Sequence, residues 1–155
     1  METIETLLQD VPIFQGMSQE ALELLSGCAT NTRFADDDVL FREGDHADTF
    51  FVIRHGRVAL ETFVPARGPV TIETIDPGEV IGWSWLFAPY RWHFDARALG
   101  LVRSTQFDAA CLRTKCEQDP AFGYDLISRF TQVLIERLQW TRLRLLDLYG
   151  DGNRS

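Results

Sequence analysis

Positive charge is scarce in this 155-residue chain: 15 Lys and Arg stand against 23 Asp and Glu, a net charge of −8. Proteins that grip phosphates need a basic surface, and this one carries the opposite field. Nucleic acid is therefore not an expected partner. Long apolar runs are also missing. No stretch approaches the ~18–20 residues that span a bilayer, so no membrane partner is expected. Met1 to Gln9 holds two Glu and no Lys or Arg, unlike the charged-then-apolar build of a signal peptide. Cysteine is limited to Cys28, Cys111 and Cys116. An odd number argues against a disulfide framework, and the expectation is free thiols in a reducing cytoplasm. Catalytic signatures are absent as well. The three His, at 46, 55 and 93, include no His-x-His pair, and there is no G-x-S-x-G elbow. Cys111 follows Ala109-Ala110 in an expected helix with no His nearby. The expectation is a protein that is not an enzyme and binds no metal. A cupin-like metal enzyme is the weakest alternative, because that chemistry wants several converging His.

What is present is an ordinary globular composition, 45% hydrophobic and 25% charged, at a length that fits one domain. Residues 1–31 read as short helices. Ile4, Leu7 and Leu8 share a face, Ser18 is placed to cap a second helix through Leu22 and Leu25, and Gly27 stops it. Residues 32–107 change character to short β-branched and aromatic runs punctuated by Gly, Pro and Asp. Thr49–Ile53, Val58–Phe63, Val70–Thr74, Phe94–Ala98 and Leu101–Phe107 read as strands, with turns at Gly56, Asp76-Pro77-Gly78 and Gly100. That spacing without intervening helices predicts an antiparallel sandwich or jelly roll. Residues 108–149 turn helical again. Asp108 caps a short helix to Lys115. Asp119-Pro120 then opens a rod to about Tyr149, some ~45 Å long at ~1.5 Å per residue. Ile127, Thr131, Leu134, Leu138, Thr141, Leu145 and Leu148 form a heptad seam along it. Leu126, Phe130, Val133, Leu143 and Leu146 add a second apolar flank. Two flanks predict two partners for the rod, the β-domain and a second copy of the chain. Residues 150–155 read as a polar tail.

This order of elements resembles the cyclic nucleotide-binding domain of catabolite-activator-type regulators. Glu43-Gly44-Asp45 through Phe50-Phe51-Val52-Ile53 to Gly56-Arg57-Val58 is similar to the family's "EGD…(F/Y)-x-(I/V)-x-x-G-x-V" signature. Pro77-Gly78-Glu79-Val80-Ile81-Gly82 resembles the lead into its phosphate-binding cassette, and Arg137-Leu138-Gln139-Trp140-Thr141 the middle of its long helix. The resemblance implies an α+β fold. It is a double-stranded β-helix, a jelly-roll-like β-roll, flanked by N-terminal helices and a long C-terminal helix. It also implies a cyclic nucleotide as ligand, homodimerisation through the long helix, and a regulatory role. In the family a helix-turn-helix follows that helix. This chain stops at its tail, so no DNA reader is expected and output would pass through a protein partner.

The cassette departs from the family pattern where it matters chemically. The family places a Glu on the ribose hydroxyl and an Arg on the cyclic phosphate. With Gly82 and Leu86 aligned, Trp83 stands at the Glu position, and counting back from Ala98 puts Trp92 at the Arg position. An indole offers one N–H donor and no acceptor, so it replaces neither. Arg91 is one position away, which in a strand points it to the opposite face. Arg97 and His93 are the other nearby cations. The resemblance thus assigns a ligand site at Gly82, Trp83, Ser84, Arg91, Trp92 and His93, with Thr141 facing it from the long helix. Trp83, Trp85, Phe87, Tyr90, Trp92 and Phe94 crowd twelve residues. A cyclic nucleotide retained through Arg91 or Arg97 is the less favoured reading, and two others stay open beside it. Either the aromatics remodel the pocket for haem or another flat aromatic effector, or they plug it.

Overall fold

The computed structural model describes residues 3–152, with side-chain surroundings described as far as residue 147. Helix α1 (Ile4–Gln9), a 3-10 turn (Pro12–Phe14) and α2 (Gln19–Ser26) lead into strands β1 (Ala29–Phe34), β2 (Val39–Phe41), β3 (Thr49–Val64), β4 (Gly68–Ile75), β5 (Val80–Ile81) and β6 (Asp95–Asp108). Helices α3 (Ala109–Gln118) and α4 (Pro120–Gly152) follow. The caps are those the sequence suggests. Ser18 Oγ accepts from the Ala21 amide at 3.1 Å, Asp108 Oδ1 from Cys111 at 3.0 Å, and Asp119 Oδ1 from Phe122 at 3.2 Å.

All strand pairings are antiparallel, in the order β1-β6-β3-β4, with β2 on β6 and β5 on β3. The four strands expected on either side of Gly56 and Gly100 are in fact two, β3 and β6. Each glycine takes a positive φ, 85° at Gly56 and 79° at Gly100. The β3–β6 register slips on both sides of His55. The glycines bend continuous strands rather than ending them, which is how a flat ladder becomes a roll. Gly56 is fixed twice over, because a Cβ there would collide with the Leu101 carbonyl oxygen.

Alternation along β3 builds two cores. Phe51 and Ile53 point into the roll with Val58, Ile75, Ile81 and Val102. Phe50 and Val52 point the other way, to Phe14, Leu25, Trp85, Phe107, Leu112, Leu126 and Phe130. Phe50 is the hub of that second core. Its ring stacks on Phe107 (4.5 Å) and Trp85 (4.9 Å) and meets Phe130 edge-on (5.1 Å). Helix α4 therefore packs on the roll through Phe122, Leu126, Phe130 and Val133, the flank expected to do so. Leu143 and Leu146, expected on the same flank, are exposed. Arg144 between them still borders a surface cleft with Thr71 to Thr74 of β4. The helix also continues through Gly150 to Gly152 instead of stopping at Gly150. The remainder of the expected tail, Asn153 to Ser155, lies outside the described residues.

The expectation of three free thiols is corrected. Cys28, just after α2, and Cys111, in the first turn of α3, form a disulfide with Cα atoms 5.7 Å apart. The odd count hid the pair. β1 and β6 run side by side, the Asp108 amide bonds the Cys28 carbonyl at 2.9 Å, and this brings the two residues together. Cys116 is the free cysteine; burial, then Asp119 and Glu117, push its thiol pKa up. No described helix is long and apolar enough to cross a membrane.

The two strand glycines provide a test. Gly56→Ala is expected to lower unfolding free energy by about 2 kcal/mol or more, through both φ strain and the clash with Leu101. Gly68→Ala, at φ 79° with no neighbour within 4 Å, should cost about 1 kcal/mol. Urea unfolding of the two variants measures the difference; equal costs would contradict the close approach.

Candidate functional site

The candidate cassette is the segment from β5 to the start of β6, and three elements fix its shape. The loop after β2 zips onto it. The Gly44 amide donates to the Trp92 carbonyl (2.9 Å), the Trp92 amide to the Asp45 carbonyl (3.0 Å) and the Ala47 amide to the Tyr90 carbonyl (2.6 Å). From α3, Arg113 donates to the Trp85 carbonyl at 2.7 Å and lies over the Tyr90 ring. From α4, Arg137 donates to the Val80 carbonyl (3.2 Å) and Glu79 (3.0 Å) and covers the Trp83 ring at 4.6 Å. Inside the segment the Trp85 indole donates to the Gly82 carbonyl at 3.1 Å.

Trp92 lies at the centre. It is 5% exposed, and its ring stacks on Phe41 at 3.7 Å and 10°. Its far edge presses on Gly82, where an added Cβ would come within 2.6 Å of the indole. Gly82 has φ 103°, so this position needs glycine for its backbone as well. The cavity left between Phe41, Gly82, Trp83, Ser84, Trp92, His93 and Arg137 is about 50 Å³.

Of the seven residues assigned to the site from the sequence, Gly82, Trp83, Ser84, Trp92 and His93 lie together around this cavity. Arg91 does not; its guanidinium donates to the Gly44 carbonyl at 3.2 Å, and it borders an adjoining open cleft of about 280 Å³ together with Trp83, Ser84 and His93. Thr141 is exposed on α4, its hydroxyl bonded to the Arg137 carbonyl at 2.9 Å, and it does not line the cavity. Arg97 is engaged elsewhere. Its Nε and Nη2 hold buried Glu61 at 2.8 and 3.2 Å, and Nη1 holds Asp37 at 2.6 Å. Those bonds, Glu61 first, raise its pKa above the usual arginine value. His93 is exposed, and among the described residues no group of three His, Cys, Asp or Glu is placed to hold a metal ion.

Phe41 and Arg137 line the cavity without having been singled out for it. Phe41 belongs to the short apolar run Val39-Leu40-Phe41, and nothing local in that run shows that β2 faces the cassette. Arg137 stood in the quoted helix motif, and only the packing of α4 brings it over Trp83. Its Nη2 bonds Glu79 at 3.0 Å, whereas Nη1 lies 3.5 Å from Glu73 and is buried without a hydrogen-bond partner.

Comparison with known proteins agrees with this architecture. Residues 31–119 match the model of the cyclic nucleotide-binding domain. A CRP-like cAMP-activated global transcriptional regulator of Mycobacterium tuberculosis is 25% identical over 145 residues, 94% of this chain; the chain spans 63% of that relative's length. A cyclic nucleotide-binding protein of Geobacter metallireducens superposes with a TM-score of 0.77 at 28% identity, over 89% of this chain and 99% of that one. The N-terminal domain of a transcriptional regulator from Streptomyces coelicolor superposes with a TM-score of 0.70 at 24% identity, over 87% of this chain and 94% of that one. With the family match covering more than half the chain, the roll, cassette and long helix are those of a member of the cyclic nucleotide-binding domain family.

Proposed function

We propose that this chain is a regulatory module whose cassette is closed by its own Trp92, so that it does not take a cyclic nucleotide in the family's usual way. The observation that carries this reading is the Trp92 ring wedged between Phe41 and Gly82, with about 50 Å³ left beside it. Small-molecule sites commonly offer about 300 Å³ or more. The chemistry agrees with the volume. Trp83 has no acceptor for a ribose hydroxyl, Arg97 is bound to Glu61 and Asp37, and Arg137 to Glu79. Neither Arg97 nor Arg137 can take a phosphate without giving up a carboxylate partner. This favours the plugged pocket over the remodelled one.

The module acts, in this reading, as a homodimer. On the side of α4 turned away from its contacts with the roll, Ile127, Leu138 and Leu145 of the seam are each about half exposed, as is neighbouring Ile135. Leu134 is partly buried and Thr141 exposed, and the Leu148 side chain lies beyond the described ones. A continuous apolar face of this kind is costly in water and calls for a partner surface. Its heptad spacing suits another copy of the same helix. Output passes to a protein partner. A cytoplasmic setting suits a regulator of this family, although a reducing poise there works against the Cys28–Cys111 bond.

Three outcomes are expected. Cyclic AMP and cyclic GMP should leave the melting temperature unchanged by thermal shift; a saturable rise would contradict the closed cassette. Trp92→Ala should cost about 3–5 kcal/mol in urea unfolding, as for other large buried aromatics; a cost under about 1 kcal/mol would mean that the ring is not packed as described. Light scattering after size exclusion should give a dimer for the parent chain and a smaller species for Leu138→Asp; a monomeric parent chain would contradict the dimer.

A further inference from the structure

A second concave surface lies away from the cassette and shares no lining residue with it. It is a solvent-open groove of about 580 Å³ between α1 and the outer face of the sheet. Leu7, Val11 and Leu101 form its apolar side, and Arg54, His55 and Arg103 its basic side.

The basic side is set by strand register. Arg33 on β1 stands opposite Arg103 on β6, and Arg103 stands opposite His55 on β3. Opposed residues in an antiparallel ladder share a face, and like charges there are destabilising. Arg54 joins them and is held in place. Its guanidinium donates to Asn31 Oδ1 at 3.1 Å, and the Thr105 hydroxyl donates to the same oxygen at 3.3 Å. Pairing is uneven among the other arginines. Among the described residues Arg42, Arg67, Arg91 and Arg113 make no ion pair, but they do not stand in a row across neighbouring strands. Arg57, Arg97, Arg129 and Arg137 all have carboxylate partners. Among the described residues Arg33, Arg54 and Arg103 make no ion pair, and Asp10 in the groove does not reach them. In a chain with an acidic excess of eight, this row of exposed arginines is left without a carboxylate partner, and like charges face each other across β1 and β6.

We propose that this groove docks an acidic segment of a partner protein, with its carboxylates on Arg54 and Arg103, Arg33 adding positive charge from the neighbouring strand, and an apolar side chain against Leu7, Val11 and Leu101. Charge complementarity selects the occupant. Arginine forks suit carboxylates bidentately, and exposed guanidiniums beside an apolar wall match a peptide that alternates acidic and apolar residues. A nucleic acid fits less well. The lining offers no Phe, Tyr or Trp for base stacking, and the net charge of −8 repels a long polyanion. A small metabolite would remain largely solvated in an open groove, whereas ligand sites enclose most of their ligand.

The test is fluorescence anisotropy with a short labelled peptide of alternating Glu and Leu. Saturable binding that weakens with added salt is expected. Arg54→Glu and Arg103→Glu should each weaken it about tenfold or more. Arg67→Glu, at the exposed β3–β4 turn, should bind like the parent. Arg103→Glu should also melt no lower than the parent, since it replaces a like-charge pair with an attractive one; this separates lost binding from lost folding. No saturable binding to the parent, equal loss in Arg67→Glu, or tighter binding of a single-stranded oligonucleotide than of the peptide would each overturn the proposal.

Discussion

The contact of Trp92 with Phe41 and Gly82 determines what the cassette can hold. In the proposed reading the segment between β5 and β6 is the ligand site of the roll, and its volume is set by whichever side chain turns inward. Here that side chain is an indole, flat against Phe41 and closing on a glycine with no Cβ to spare. The surrounding hydrogen bonds serve this arrangement. Gly44 and Asp45 clamp the Trp92 backbone on both sides, so the ring has little freedom to swing without unzipping the loop. The residue that fills the site is thus held by the most recognisable motif of the sequence.

The same loop joins the parts of the molecule that a regulator would need to couple. Arg113 ties it to α3, and Arg137 ties it to α4, the helix that carries the exposed seam. Behind it, Trp85 belongs to the core centred on Phe50, to which Phe130 of α4 also belongs. A change in the cassette therefore cannot leave α4 untouched, since they share packed side chains and a guanidinium. In the proposed reading, Trp92 closes the cassette to a cyclic nucleotide while these links to α3 and α4 remain. Inputs to such a module would then act on the helices or on the outer surface of the roll.

Much of this was legible from the residues because it depends on local rules. Ser18, Asp108 and Asp119 announce their helices through side-chain caps, and alternation through Phe50 to Ile53 announces a strand buried on both sides. The glycines at 56 and 100 were visible as special positions but read as turns. A positive φ bends a paired strand or ends an unpaired one, and pairing is a long-range fact. The Cys28–Cys111 bond was hidden for the same reason, since it depends on β1 lying beside β6. In the site, the mismatch at Trp83 and Trp92 could be read from the sequence. Whether those rings opened or closed the pocket could not, because that depends on Phe41 and Arg137 arriving from elements distant in sequence.

The central claim is that Trp92 occupies the space a cyclic nucleotide takes in this fold. A crystal structure of the chain grown in saturating cyclic AMP tests it most directly. The account predicts the Trp92 ring still stacked on Phe41 over Gly82, with no nucleotide in the cassette. A nucleotide bound between Gly82 and α4, with Trp92 swung out and its phosphate on Arg91 or Arg97, would contradict it.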